Sequence, residues 1–450
     1  MSSRSVEDRL AAARSEHRRP VSPPPGADRA LGLARWLGAD LRISDLGRVL
    51  VVERSFPQDP SAIARLATLP RASYLDTETT GLSTGVGTVV FLAACARLEG
   101  CRLVVRQYLL PDYPDERALL RAVVADASEA ARMVTYNGRA FDVPLLTSRL
   151  TLHGLWPDLA ALPSRHDDLL PTARRLWRRP LGGARLAQVE AGVLGLQRVS
   201  DCPSHEVPGR WFGYLRGGSP DLLADVLDHN AQDVLSLALL EAELVRLRTG
   251  GWRDAAVLDR RGMALELLRT GAEDEALALL ELAVAENQAA DEAATRRLAA
   301  RLFVAAGHLD RAEAVWRQST RRASVEAATA WIEVARIRER CRGDLEAALG
   351  AVMAASRVLD LAFALGRGGS VQEVGRARLQ VGGRRRRLER RLAAEERRAR
   401  RRQAKAWQAT ATSPGQPPVV ARPQEGGKRA TKPEPPCPRP PSTAMHSPPA

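Results

Sequence analysis

The sequence predicts an α/β domain with a mixed sheet and covering helices, then an all-α helical-repeat domain, then a disordered basic tail. Three observations carry that expectation. Short apolar, strand-like runs are interleaved with helical periodicity from residue 70 to about residue 248. After Gly251 the strand-like runs stop, and Ala, Leu, Arg and Glu dominate, with Gly271, Gly307 and Gly343 spaced 36 residues apart and Ala276, Ala312 and Ala348 at the same interval. The charge is unevenly placed: residues 376–450 hold 19 Lys and Arg against 5 Asp and Glu, which is the whole of the net +14, while the first 375 residues balance. The basicity belongs to the tail and not to the folded body.

Taken in order, residues 1–27 end in a Pro-rich stretch and read as disordered. Residues 28–69 form an N-terminal extension with a short helix over 28–40 and an apolar strand, Val49 to Glu53. The α/β domain is expected over 70–248. Ala72 to Thr77 is a strand running into the turn at Gly81; Thr88 to Leu98 and Cys101 to Leu110 are two more, joined by Glu99-Gly100 as a hairpin. Helices are expected over Asp115–Ala127, Phe141–His153, Thr172–Arg178, Leu186–Leu194 and Asp221–Leu247, with a short strand at Met133–Tyr136. Residues 252–372 are the helical repeats. The small Gly and Ala positions, with Leu309 and Leu345 in register, resemble tetratricopeptide repeats, in which small residues let paired helices approach. Residues 376–408 are an Arg-rich helix candidate, and 411–450 are Pro-, Ser- and Gly-rich.

Composition narrows the function classes. The five cysteines form no CxxC pair and are odd in number, which argues against a disulfide framework or a zinc site and makes the cytoplasm the expected location. Met1 to Pro25 is charged and then proline-rich, without the apolar core of a signal peptide, and no run of about 18 apolar residues is evident, so no membrane partner is expected.

Three motifs carry candidate chemistry. In Tyr74-Leu-Asp76-Thr-Glu78-Thr79-Thr-Gly81, the alternation of a strand puts Asp76 and Glu78 on one face. Adjacent carboxylates repel and are costly to desolvate unless a cation lies between them, and hard oxygen donors suit Mg²⁺ or Mn²⁺. Alone, the pair reads as readily as a solvated strand end. In Thr135-Tyr-Asn137-Gly138-Arg-Ala-Phe141-Asp142, a strand ends in a turn and Asp142 falls in the first turn of a helix, where the dipole also favours an acid. In His229-Asn-Ala-Gln-Asp233-Val-Leu-Ser-Leu237, His229 and Asp233 share one face of a largely apolar helix and need a polar destination. His166-Asp167-Asp168 is a further polar cluster that either shapes a site or, through Asp168, caps a helix; His205-Glu206 and Trp211-Phe212 read as packing before substrate contact.

The ordered set of motifs resembles the DEDD exonuclease superfamily, and more closely the YprB-type ribonuclease-H-like proteins. The residues carrying the resemblance are Leu75 to Ser83, Val104 to Leu109, Thr135 to Gly138 with Phe141-Asp142, Asp168 to Leu170, Ala173 to Trp177, Val189-Glu190, Leu194-Gly195 and His229 to Leu237. It implies a ribonuclease-H-like fold, with Asp76, Glu78, Asp142 and Asp233 as metal ligands, His229 as general base or water-positioning residue, and substrate contacts at Thr79, Asn137 and Phe141. One departure stands out. The histidine branch of that superfamily places its His five residues before the last Asp, and here His229 stands four before Asp233.

The implied activity is a 3′→5′ exonuclease on single-stranded DNA or RNA, with two cations about 3.5–4 Å apart activating water and stabilising the leaving 3′ oxygen. The Arg-rich segment, interrupted by Glu389, Glu395 and Glu396, reads equally as a solvated helix or as a tether for substrate phosphates, and the repeats are a possible surface for a protein partner. A structure-selective endonuclease of the same fold, or a non-catalytic nucleic-acid-binding scaffold, are the alternatives; a scaffold has no physical need of four acids.

Overall fold

A computed structural model describes residues 28–81, 87–198, 202–285, 292–367 and 370–411. The expected disordered segments are 1–27 and 411–450; all of them but Ala411, the last residue of a helix, lie outside the described residues. The chain divides into two compact units, Met1–Ala272 and Glu273–Ala450.

The first unit is a seven-stranded mixed sheet. Its strands are β1 (Asp40–Ser44), β2 (Gly47–Pro57), β3 (Ala72–Thr79), β4 (Val90–Glu99), β5 (Arg102–Leu109), β6 (Arg132–Thr135) and β7 (His166–Asp168). The spatial order is β1-β2-β5-β4-β3-β6-β7; β6 lies parallel to β3 and to β7, and the other pairs are antiparallel. The expected β4–β5 hairpin forms, but Glu99 pairs with Arg102, so the turn is Gly100-Cys101, one residue later than the sequence suggests, with Gly100 at φ +60°. The apolar run at Val49 is the centre of a longer strand that pairs with β5 and extends the sheet edge.

The helices of this unit are α1 (Arg29–Leu37), α2 (Pro60–Leu66), α3 (Glu116–Ala127), α4 (Asp142–Leu152), α5 (Trp156–Ala161), α6 (Leu170–Trp177), α7 (Leu186–Val189), α8 (Val207–Leu215), α9 (Asp221–Arg248) and α10 (Arg260–Arg269). The expected helix over Leu186–Leu194 is instead one α-helical turn followed by a π-helical turn at Glu190–Leu194, which ends at Gly195 in the left-handed region (φ +67°). The 28-residue α9 is the structural axis and packs on β3, β4 and β5. Its apolar residues repeat around much of the helix, and 20 of its residues are buried. Polar ties fix its register. Arg54 meets Asp228 at 2.7 Å, Gln107 donates to the Leu227 carbonyl at 2.7 Å, and Glu241 accepts from Tyr74 and, through both oxygens, from Arg132. The opposite face carries α3 and α8, with Trp211 fully buried and stacked on Phe91 at 5.0 Å between ring centroids. Trp211 and Phe212 are therefore packing residues, and Glu206 pairs with Arg210.

The second unit is all-α: α11 (Glu273–Ala285), α12 (Glu292–Ala305), α13 (Leu309–Gln318), α14 (Val325–Arg340), α15 (Leu345–Ala364) and α16 (Val371–Ala411), each packed on the next. Gly271, Gly307 and Gly343 all adopt positive φ (82°, 79° and 69°), and Ala276, Ala312 and Ala348 are fully buried. The repeated residues thus do repeated work, one reversing the chain and the other allowing close helix approach. By length and composition α15 is apolar enough to cross a membrane, contrary to the expectation that no such stretch exists; it lies between α14 and α16 with Ala351, Val352, Ala355 and Leu359 buried.

The Arg-rich segment is a 41-residue helix. Its first half is not a free arm: Val381 and Leu388 are buried, and Arg384, Arg387 and Arg391 converge on the buried Glu339 of α14 at 2.8, 2.6 and 2.6 Å. Part of the tail's charge is thereby structural.

Candidate functional site

The site forms where the carboxyl end of β3 meets α9 and the start of α4. The alternation of β3 points Tyr74, Asp76 and Glu78 to the α9 side, with a register shift between Glu78 and Thr79, beyond which pairing with β4 resumes at Thr79–Val90. Asp76 pairs across the sheet with Ala94, and Ala94 with Gln107. The small Ala94 leaves room for Asn230 to span the row. Its Nδ2 donates to Asp76 Oδ2 at 2.8 Å and its Oδ1 accepts from Gln107 at 3.1 Å. Asn230 is fully buried, and this bridge holds Asp76 in one orientation.

Asp142 is set by a different device. The β6 strand ends at Thr135, and Asn137 takes a positive φ of 71°. A Cβ on Gly138 would fall 2.4 Å from Thr135 Oγ1, so only glycine fits beneath the turn. Asp168 ties the turn down, accepting from the backbone N–H groups of Asn137 (2.8 Å), Arg139 (3.2 Å) and Leu170 (3.0 Å). Asp168 thus anchors the loop and also accepts from the first N–H of α6, one residue before the N-cap position at Leu169. The chain then enters α4 at Asp142, and Thr77 donates its hydroxyl to Asp142 Oδ1 at 2.5 Å.

His229 and Asp233 stand one turn apart on α9. His229 Nε2 lies 3.8 Å from Glu78 Oε1 and 3.7 Å from Asp233 Oδ2. Arg198 adds a cation: its Nη1 lies 3.1 Å from His229 Nδ1, its Nη2 bonds Asp233 Oδ1, and its Nε and Nη2 grip the fully buried Glu190 at 2.6 and 2.8 Å. A guanidinium can only donate, so Nδ1 is the acceptor and the ring proton sits on Nε2, facing Glu78 and Asp233.

The electrostatics follow from this crowding. Burial, then the charges of Asp233, Glu78 and Asp142, push the Asp76 carboxyl well above its usual range, against the Asn230 hydrogen bond. Glu78 rises to about 8, through burial first, with His229 and Arg198 pulling down and Asp233 and Asp142 pushing up. Asp142 rises to about 6, again through burial, opposed by the Thr77 hydrogen bond. The four acids, from three separate segments, are close enough to perturb one another. Among the described residues, however, no three His, Cys, Asp or Glu side chains are gathered as a preformed metal cage. The donor set is chemically suited to a hard cation, being all carboxylate oxygen, with Asp142 buried and the other three half-buried.

Of the other sequence candidates, Thr79 is buried and gives its hydroxyl to the Gly81 carbonyl at 2.7 Å; Asn137 is exposed at the turn; Phe141 is half-buried against the core. Sequence reasoning missed Asn230, Thr77 and Arg198. Glu190 stood only within a quoted motif.

Residues 73–245 match the family model RNase_H_2 of the RNase_H superfamily. Residues 73–245 form a ribonuclease-H-like domain. This segment includes all four acids and His229. The chain is also 42% identical over 168 residues to the protein named uncharacterized protein YprB of Bacillus subtilis (strain 168), a match covering 37% of this chain and 40% of that relative's length. A solved structure, the family B DNA polymerase of the archaeon Pyrobaculum calidifontis, aligns over 47% of this chain and 29% of its own, with a TM-score of 0.34 and 18% identity.

Proposed function

We propose that the ribonuclease-H-like domain hydrolyses phosphodiester bonds as a 3′→5′ exonuclease of the DEDD type, acting on single-stranded DNA or RNA with two Mg²⁺ or Mn²⁺ ions. The observation that carries this reading is that Asp76, Glu78, Asp142 and Asp233, brought from β3, α4 and α9, lie near enough to act on one another's charge, with the first three held toward their protonated forms, by burial above all. Such an arrangement is costly unless a cation is supplied. A bound divalent ion would furnish Lewis-acid charge for the phosphate oxygens and acidify a water.

The chain's own groups do the rest. Asn230 and Thr77 fix the rotamers of Asp76 and Asp142, so that two carboxylates from different elements keep a common aim. His229, with Nδ1 engaged by Arg198, presents Nε2–H toward Glu78 and Asp233. That tautomer donates a hydrogen bond, so of the two roles implied by the family resemblance it favours orienting a water over taking its proton. The all-α unit is read as a tetratricopeptide-like surface for a protein partner, and the outer half of α16 as a phosphate-binding tether.

The test is incubation of the full chain with end-labelled single- and double-stranded DNA and RNA, with Mn²⁺, Mg²⁺ or EDTA, beside Asp76→Asn. Metal-dependent shortening from the 3′ end, lost in the variant, is expected. Cleavage that survives EDTA or Asp76→Asn contradicts the reading, as does no cleavage with either metal.

A further inference from the structure

We propose that Arg198 is a built-in counter-cation of the acid cluster: anchored on Glu190, it bonds Asp233, and loading of a divalent cation requires that bond to be released. The inference rests on the nuclease reading and concerns how its cation site is regulated.

The local chain explains how an arginine reaches this place. The π-turn at Glu190–Leu194 and the left-handed Gly195 reverse the backbone, and Leu196 N–H closes the reversal on the Glu190 carbonyl at 3.0 Å. Two residues later, Arg198 folds back over Glu190. The Nε/Nη2 fork on Glu190 is already a complete bidentate pair. A partner needed only to neutralise a buried glutamate would stop there. Arg198 goes further, placing Nη1 on His229 Nδ1 and a second Nη2 bond on Asp233.

The consequence is a shared charge. One guanidinium serves Glu190, His229 and Asp233 together, so its single charge is divided between the buried glutamate and the acid cluster. Asp233 is turned to the guanidinium, and no three of the acids are gathered tightly enough to grip an ion as they stand. An arginine cation has a fixed fork and cannot be encircled by carboxylates, whereas a divalent ion can draw several oxygens inward. The two cations therefore compete for Asp233, while Glu190 keeps the arginine close at hand.

The experiment compares Mn²⁺ binding by calorimetry in the full-length wild type, Arg198→Lys and the double variant Glu190→Gln/Arg198→Gln, which removes the arginine without stranding a buried charge. The double variant is expected to bind Mn²⁺ about tenfold more tightly, a competition of about 1.4 kcal/mol, and Arg198→Lys, which keeps the charge but loses the fork, to fall between it and wild type. A purely structural arginine predicts the opposite: equal or weaker binding in the double variant overturns the proposal. A second measurement needs no disruptive variant. In wild-type protein with labelled arginine, the Arg198 side-chain resonances, assigned by their loss in Arg198→Lys, are followed during Mg²⁺ titration. A shift that saturates with binding is expected, and unchanged resonances in a protein that binds Mg²⁺ overturn the proposal. If wild type cleaves and binds metal but the double variant binds no tighter, this proposal alone fails. If neither protein binds Mn²⁺, the nuclease reading fails with it.

Discussion

The chain buries carboxylates in two opposite ways. Glu266, fully buried on α10, is ringed by Arg175, Arg248 and Arg269. Burial alone would raise its pKa, but the hydrogen bonds from Arg269 and Arg248 hold it down to about 2. Glu339 repeats the pattern in the second unit, with Arg384, Arg387 and Arg391, and it too is lowered. In the acid cluster the sense reverses: Asp76, Glu78 and Asp142 are all raised, and among the described residues one arginine, Arg198, is shared with them through Asp233 and Glu78. Desolvation is common to all these sites, so what separates them is the supply of positive charge. The chain places three arginines around each of Glu266 and Glu339 and, among the described residues, one on the four acids of the cluster. That contrast marks the cluster as a place where an external cation belongs.

The comparison can be broken at several points. Glu266→Gln strands three arginines around a neutral amide, and breaking such a buried network is expected to cost about 3–5 kcal/mol, read as a lower denaturant midpoint for the first unit. Asp76→Asn should do the reverse in the absence of metal. Removing one of four repelling carboxylates is expected to stabilise the chain by about 1–2 kcal/mol, while activity falls. Destabilisation of similar size in both variants would erase the distinction.

The pH dependence sharpens it. Between about 4.5, the ordinary value, and about 8, the native Glu78 carboxyl holds a proton that the unfolded chain has lost. The native state therefore binds more protons in this window, and stability of the metal-free chain falls as pH rises through it. Glu266 contributes with opposite sign: its stability is present above its ordinary value of 4.5 and is lost as pH falls toward about 2. Melting followed from pH 2 to 9 with EDTA, in wild type and Glu78→Gln, separates the two, since only the loss on the alkaline side should shrink in the variant.

The smallest expected effect concerns α16. Truncation after Leu392 keeps the arginines that sit on Glu339 and removes Arg397, Arg398, Arg400, Arg401 and Arg402. It should leave the melting of the second unit unchanged and weaken nucleic-acid binding mainly at low salt. Truncation before Arg376 should also lower that melting transition, because it leaves Glu339 buried without its partners. Equal melting in the two truncations would contradict the structural role of the first half.

Much of this was legible in the sequence where a period or a turn announces itself. Asp76 and Glu78 are two apart on an apolar strand, the Asn137-Gly138 turn delivers Asp142 to a helix start, and His229 and Asp233 are one helical turn apart. The β4–β5 hairpin and the long α9 followed from patterning of the same kind. What could not be read depended on the fold itself. Nothing about Arg198 distinguishes it from the other arginines until the π-turn at Glu190 brings it back. Asn230 matters because Ala94 opposite Asp76 is small, a fact of strand register. The three-residue β7 and the hairpin strand β1 are too short for a periodic signal, and the Arg-rich helix read as solvated because Glu339, its buried partner, lies far away in sequence.

The central claim is that the cluster lacks a cation that a divalent ion supplies. It is tested most directly by thermal unfolding of the full chain at pH 8 with EDTA or with saturating Mn²⁺, in wild type and Asp76→Asn. Mn²⁺ is predicted to raise the wild-type transition clearly, and to raise that of Asp76→Asn much less. An unchanged wild-type transition, or an equal rise in both proteins, would contradict the account.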